Sequence, residues 1–244
     1  MLKTVEMNSV PAPTTIAPAV RHGVGDIGPR LAGAGALTFV GSVIMQNIIR
    51  GGSAPSNGAS SAAVLAYYGD HRGITMALVG LFLLSGSGLA AFLGGAMRRL
   101  TGGERPAWAF TGCVGAVGII VLFSVLVGAE EALSVLAHRN QPNLGAVEAL
   151  WVLHNCVFTL LFPMIAVALV GLSRAGVAAG ITPRAFQRIA PLGASLLAVG
   201  ALAGPFIAAG DAMALFAVGA IGFLMWLAFL ITTGLRLTRA TVAR

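Results

Sequence analysis

Long apolar runs alternate with short connections, and the basic residues fall almost entirely on every second connection. Six runs stand out, at about 31–49, 74–97, 107–137, 147–172, 189–209 and 212–235. Each reaches or nearly reaches the ~20 residues needed to cross a bilayer core. With six crossings in turn, one side receives Lys3, Arg21, Arg30, Arg98, Arg99, Arg105, Arg174, Arg184, Arg188, Arg236, Arg239 and Arg244. The other receives only Arg50, Arg72 and Arg139. Basic residues near span ends are retained in the cytoplasm, so both termini are expected inside. Hydrocarbon offers the backbone no hydrogen-bond partner, which makes the spans helices, and short connections make sequential helices antiparallel. The expected fold is all-α: a polytopic integral membrane protein with six transmembrane helices in an antiparallel bundle.

Composition agrees. The chain is 57% hydrophobic and 9% charged, where a soluble domain carries about 25% charged residues. Its net charge of +7 would fit nucleic acid, but the positives sit where topology already demands them, so the expected partner is the lipid bilayer and not nucleic acid. Arginine supplies every basic position except Lys3. With the abundant alanine and glycine, this reads as GC-rich bacterial coding, hence a multi-pass protein of the bacterial inner membrane. Residues 1–30 lack an apolar signal-peptide core and read as a mobile cytoplasmic tail, followed by the transmembrane domain at 31–235 and a basic cytoplasmic tail at 236–244.

Local signals refine the spans. Residues 60–68, ending in Tyr67 and Tyr68, are too short to cross and read as a helix lying at the outer surface, its tyrosines at headgroup level. Ser87, Ala91 and Gly95, and Gly200 and Gly204, follow the small-xxx-small spacing of close helix contacts. Pro163 and Pro205 are expected to bend their helices. Cys113 and Cys156 fall at different depths, too far apart for a disulfide, and read as apolar packing residues.

The candidate site is a polar layer in the outer half. Glu130 and Glu131 stand within the third span, about 10 Å from its outer end. Intramembrane carboxylates are costly and usually face the bundle interior or a water-filled cavity. Glu131 shares a helix face with Gly128 and Ser124, which favours it as the inward carboxylate and leaves Glu130 to reach outward. His154 and Asn155 lie at similar depth, with Trp151, Asn155 and Thr159 repeating every four residues. Gln46 belongs to the matching row Thr38, Ser42, Gln46 on the first span. Asp70, His71 and Asp211 are placed to roof the region. A Glu–His pair there suits a small ligand, an ion or a proton, because histidine changes charge near neutrality. The same groups could instead simply bond one another and lock the bundle.

Specific chemistries find little support. No HxxxH or HExxH pair, phosphate-binding glycine loop, hydrolase elbow or CxxC occurs. No cofactor or catalytic residue is expected, and enzymatic activity is disfavoured, although a metal or haem at His154 stays open. The runs Ala62–Arg72 and Trp151–Asn155, with Arg98 and Arg99 between them, resemble uncharacterised six-span bacterial integral membrane proteins; that resemblance implies a fold and a membrane address but no activity. Three functions therefore compete: binding or passage of a small ligand, ion or proton; an accessory subunit in a homo-oligomer or larger membrane complex; and a metal- or haem-dependent membrane enzyme.

Overall fold

A computed structural model describes residues 27–51, 54–102 and 106–239. The expected N-terminal tail therefore lies outside the described residues except for 27–30. Every regular element among the described residues is a helix. They are α1 (Gly28–Arg50), α2 (Ser61–Asp70), α3 (Arg72–Thr101), α4 (Pro106–Ala137), α5 (Leu144–Ala178), α6 (Phe186–Leu202), α7 (Gly204–Ala209) and α8 (Met213–Arg239).

Five of these, α1, α3, α4, α5 and α8, are long and apolar enough to cross a membrane. The chain is thus built as a multi-pass membrane protein. Large apolar side chains such as Ile48, Val114, Val152 and Leu224 are exposed along them, a surface that lipid accepts and water would not. The expected fifth span, 189–209, is not one helix. It divides at Ala203 into the 17-residue α6 and the six-residue α7. Pro205 is the physical reason: it has no N–H to offer Ala201, four residues back. Pro163 is accommodated inside a continuous α5. The C-terminal tail is shorter than expected, because α8 stays helical through Arg239.

End signals explain the boundaries. Pro29 sits in the first turn of α1, where its missing N–H costs nothing. Ser60 caps α2 by accepting from the Ala63 amide, and Asn143 caps α5 by accepting from the Ala146 amide. Beyond α5, Gly180 takes a left-handed φ of 72°. The Ile181 and Thr182 amides then close on the Gly176 carbonyl at 2.9 and 3.0 Å, turning the chain back.

The long helices and α6 pack in the cyclic order α1–α3–α4–α5–α6–α8–α1. Small residues form the seams. Gly88 abuts Gly35 and Phe39, and Gly95 abuts Gly28 and Ala32; Gly112 and Gly115 lie against Leu172 and Ala168. Across both seams residue numbers rise along one helix as they fall along the other. Gly200 meets Phe162 and Gly219, and Gly204 meets Thr159, in keeping with the spacing read from sequence. On α3 Gly88 is buried at this seam, whereas Ser87 is exposed. One end of the core is filled by Phe39, Phe92, Phe186, Trp226 and Phe229 in mutual ring contact. The site lies toward the other end, where α1 finishes at Arg50.

Candidate functional site

Glu130 anchors the site. Its neighbours one turn away on α4, Leu126, Val127, Leu133 and Ser134, are all buried, and Glu130 itself is 3% exposed. Glu131 points about 100° away onto the face shared with exposed Gly128, Ser124 and Val135, and is itself exposed. The expectation that Glu131 would be the inward carboxylate is therefore reversed. Small residues on that face mark a lipid-side stripe.

Arg50 Nη2 donates to both Glu130 oxygens, at 2.9 and 3.0 Å. Arg50 was not among the expected site residues. It was one of three arginines on the disfavoured side of the charge partition, and that exception was the available signal. A second partner comes from α5: His154 Nε2 lies 3.2 Å from Glu130 Oε1. Trp151 stacks on the imidazole, with centroids 4.9 Å apart and rings 8° from parallel.

Asn155 fixes the far side of the ring. Its Nδ2 donates to the carbonyls of Asn57 (3.0 Å) and Ala208 (3.4 Å), so its Oδ1 faces His154 Nδ1 at 3.1 Å as an acceptor. The Asn57 carbonyl also accepts from Trp151 Nε1, while Asn57 Nδ2 donates to Ile207 O at 2.7 Å. These carbonyls lie in the last turn of α7, where no further helical turn claims them, although Ile207 O also accepts from the Gly210 amide at 3.0 Å. Gly210 closes α7 at a φ of 91°, a conformation that favours glycine. The broken helix thus supplies the acceptors that hold Asn57 and Asn155 in place.

The hydrogen bonds set a condition on the charge of the network. His154 faces an acceptor at each nitrogen: the Asn155 oxygen and the Glu130 carboxylate. Both bonds close only when Glu130 and His154 hold one more proton between them than carboxylate plus neutral imidazole. Either His154 is an imidazolium beside a carboxylate, or neutral His154 accepts from a protonated Glu130. In both cases Arg50, Glu130 and His154 together carry one net positive charge.

These groups line a cavity of about 170 Å³ with Asn57, Tyr67, Tyr68, Thr75, Trp151, Asn155, Phe158 and Phe216. Ala54, Pro55, Leu78 and Met213 also line it, while Asp70, His71 and Asp211, expected as its roof, do not. Asp70 and Asp211 are exposed, and His71 stacks behind Tyr67 with centroids 4.6 Å apart. The short helix α2 forms as expected, but Tyr68 does not reach headgroup level. It is buried against the Val64, Leu133, Val147 and Trp151 cluster. That burial, helped by the Glu130 charge, pushes its phenol well above the usual range.

Gln46 also departs from expectation. It is fully buried on the row that includes Gly35 and Phe39, which face α3, and does not line the cavity. Among the described residues neither of its amide atoms has a hydrogen-bond partner. Thr159 bonds the Cys156 carbonyl instead of joining the layer. Cys113 and Cys156 are both free, and Cys156 is exposed, not packed inside. Among the described residues no group of three or more His, Cys, Asp and Glu could hold a metal ion. For the haem left open at His154, both ring nitrogens are already engaged.

A second cavity, of about 140 Å³, adjoins the first and shares Arg50, Phe158 and Phe216 with it. Its walls are otherwise apolar except for Asn47: Phe39, Val43, Ile119, Phe123, Leu161, Phe162, Ile165, Ala220, Phe223 and Trp226. Comparison with protein-family models, curated proteins and solved structures found no match.

Proposed function

We propose that this chain is a binding protein of the bacterial inner membrane that takes up a small ligand, ion or proton in the Arg50–Glu130–His154 cavity. One observation carries the reading: a charged triad sits within the apolar bundle and borders open space. A purely structural ion pair gains nothing from a cavity beside it, and buried charges are costly wherever they serve packing alone.

In this reading the chain crosses six times, with α6 and α7 together making the fifth crossing. From 186 to 209 they span 24 residues, within the ~17–25 that suffice. Both termini face the cytoplasm, which leaves Arg50 on the outer side, held there by Glu130 against the usual charge bias. The cavity then belongs to the outer half of the membrane.

The test is a ligand screen on protein purified in mild detergent, read by thermal stabilisation, with Glu130→Gln and His154→Ala in parallel. Stabilising ligands should lose their effect in both variants while helix content stays native. Stabilisation that persists in both variants would reject the cavity as the site. Cysteines introduced at positions 102 and 180 test the topology; labelling of either from outside intact cells would reject the six-crossing arrangement.

A further inference from the structure

The apolar cavity has no part in the function proposed above, yet it meets the polar one at Arg50. We propose that the two form one bipartite site for a monocarboxylate with an apolar tail: the carboxylate at Arg50, the tail among the aromatic side chains below. The inference rests on the proposed binding role and names its ligand class.

Three observations carry it. The first is charge. With both His154 hydrogen bonds made, the triad holds one surplus positive charge, and among the described residues Glu130 is the only carboxylate lining either cavity. A buried surplus of this kind is relieved by one anion. The second is donor geometry. Among the described residues Glu130 engages only Nη2 of Arg50, so the Nη1 donors are left over for a charge-assisted hydrogen bond to a second carboxylate. The third is shape. Arg50, Phe158 and Phe216 border both cavities, so a head at Arg50 places its substituent against Phe158 and Phe216 at the entrance to the apolar space. A cavity of about 140 Å³ is close to the size known to hold a benzene ring while staying dry. A small inorganic anion would satisfy the first two observations and leave that space empty.

The experiment measures binding of the straight-chain series acetate, butyrate, hexanoate and octanoate to the full-length protein in mild detergent, by calorimetry. Each added methylene should tighten binding about three- to fourfold until the apolar cavity is full. The matching primary amides, which partition into micelles at least as well, should bind at least tenfold more weakly than the acids. Ala220→Leu, which fills the apolar cavity alone, should flatten the chain-length dependence; Ala220→Val serves the same purpose where the larger variant does not fold.

Saturable acetate binding with no gain along the series would overturn the bipartite site and leave the proposed polar cavity standing. Amides binding as tightly as acids would overturn the carboxylate head. A chain-length gain unchanged in both Ala220 variants would place the tail elsewhere and overturn the assignment. No saturable binding by any acid would overturn it outright, with the polar cavity then judged by its own ligand screen.

Discussion

Removing the charge of Glu130 measures whether its contact with Arg50 is a buried ion pair. The two side chains are 4% and 22% exposed, and Nη2 sits 2.9 Å from Oε2. Exposed pairs at this distance contribute about 0.2–1 kcal/mol. Breaking a buried pair by deleting one partner costs about 3–5 kcal/mol, because the remaining charge stays desolvated. Arg50 retains some accessible surface, so Glu130→Gln belongs between these two ranges, about 2–3 kcal/mol. Arg50→Met strands the more deeply buried member, with only His154 beside it, and should cost about 3 kcal/mol or more. The double variant removes both charges and should fall short of the sum by about 2 kcal/mol. Glu131→Gln, on the exposed face of the same helix, should stay within about 0.5 kcal/mol of the parent. Unfolding in mixed micelles, followed by loss of helical circular dichroism, gives all four values. A double variant equal to the sum within about 0.5 kcal/mol would mean that Arg50 and Glu130 do not interact in the folded protein, and the charged triad would be wrong.

Gly115→Val should cost several times more than Gly128→Ala. A Cβ at Gly115 runs into the Ala168 backbone nitrogen and lies 2.7 Å from the Met164 carbonyl, whereas one at Gly128 meets nothing within 4 Å. The readout is folded yield and Tm, with overpacking of this kind worth about 1–3 kcal/mol or more. Gly210→Ala should lower stability by about 1–2 kcal/mol, since its φ is 91° and a Cβ there approaches the Gly58 nitrogen at 3.2 Å; unchanged Tm would contradict that turn. In a Tyr67→Phe variant, which leaves Tyr68 as the one tyrosine, a 295 nm titration should find it still protonated above the usual phenol range. Its folded pKa is raised by burial, so the neutral phenol's stabilisation is complete below the unfolded value of about 10 and is lost as pH climbs above it. Ionisation of Tyr68 near that value in the folded variant would show it to be exposed.

The expected inner turn at Arg98–Pro106 is described only in part, but the other span limits lie close to those read from hydropathy. α1, α3 and α4 differ from expectation mainly by a few terminal residues, and α5 gains a further turn and a half before Gly180. Averages over about 20 residues are robust to the identity of any one of them. The site was legible at the level of depth: Glu130, His154, Asn155 and Trp151 were placed in one layer, and they do meet. Its rotational phase was not. Choosing Glu131 over Glu130 was a decision about 100° of helix turn, made from Gly128 and Ser124, which face outward. Arg50 was visible only as an exception to the charge partition, and Asn57 carried no signal, since its role depends on where the α7 carbonyls end.

Sequence alone determined that this chain lives in lipid as a set of long helices, because hydrophobicity and length answer to the bilayer residue by residue. It also determined roughly how deep the polar residues lie. Tertiary structure decided which faces turn inward. In a soluble helix, water marks the outer face with polar residues; in a membrane, lipid and protein core are about equally apolar, so Val135 facing lipid and Leu133 facing the core look the same in the sequence. Only packing against α1 and α5 distinguishes them, and with them the carboxylate that holds Arg50.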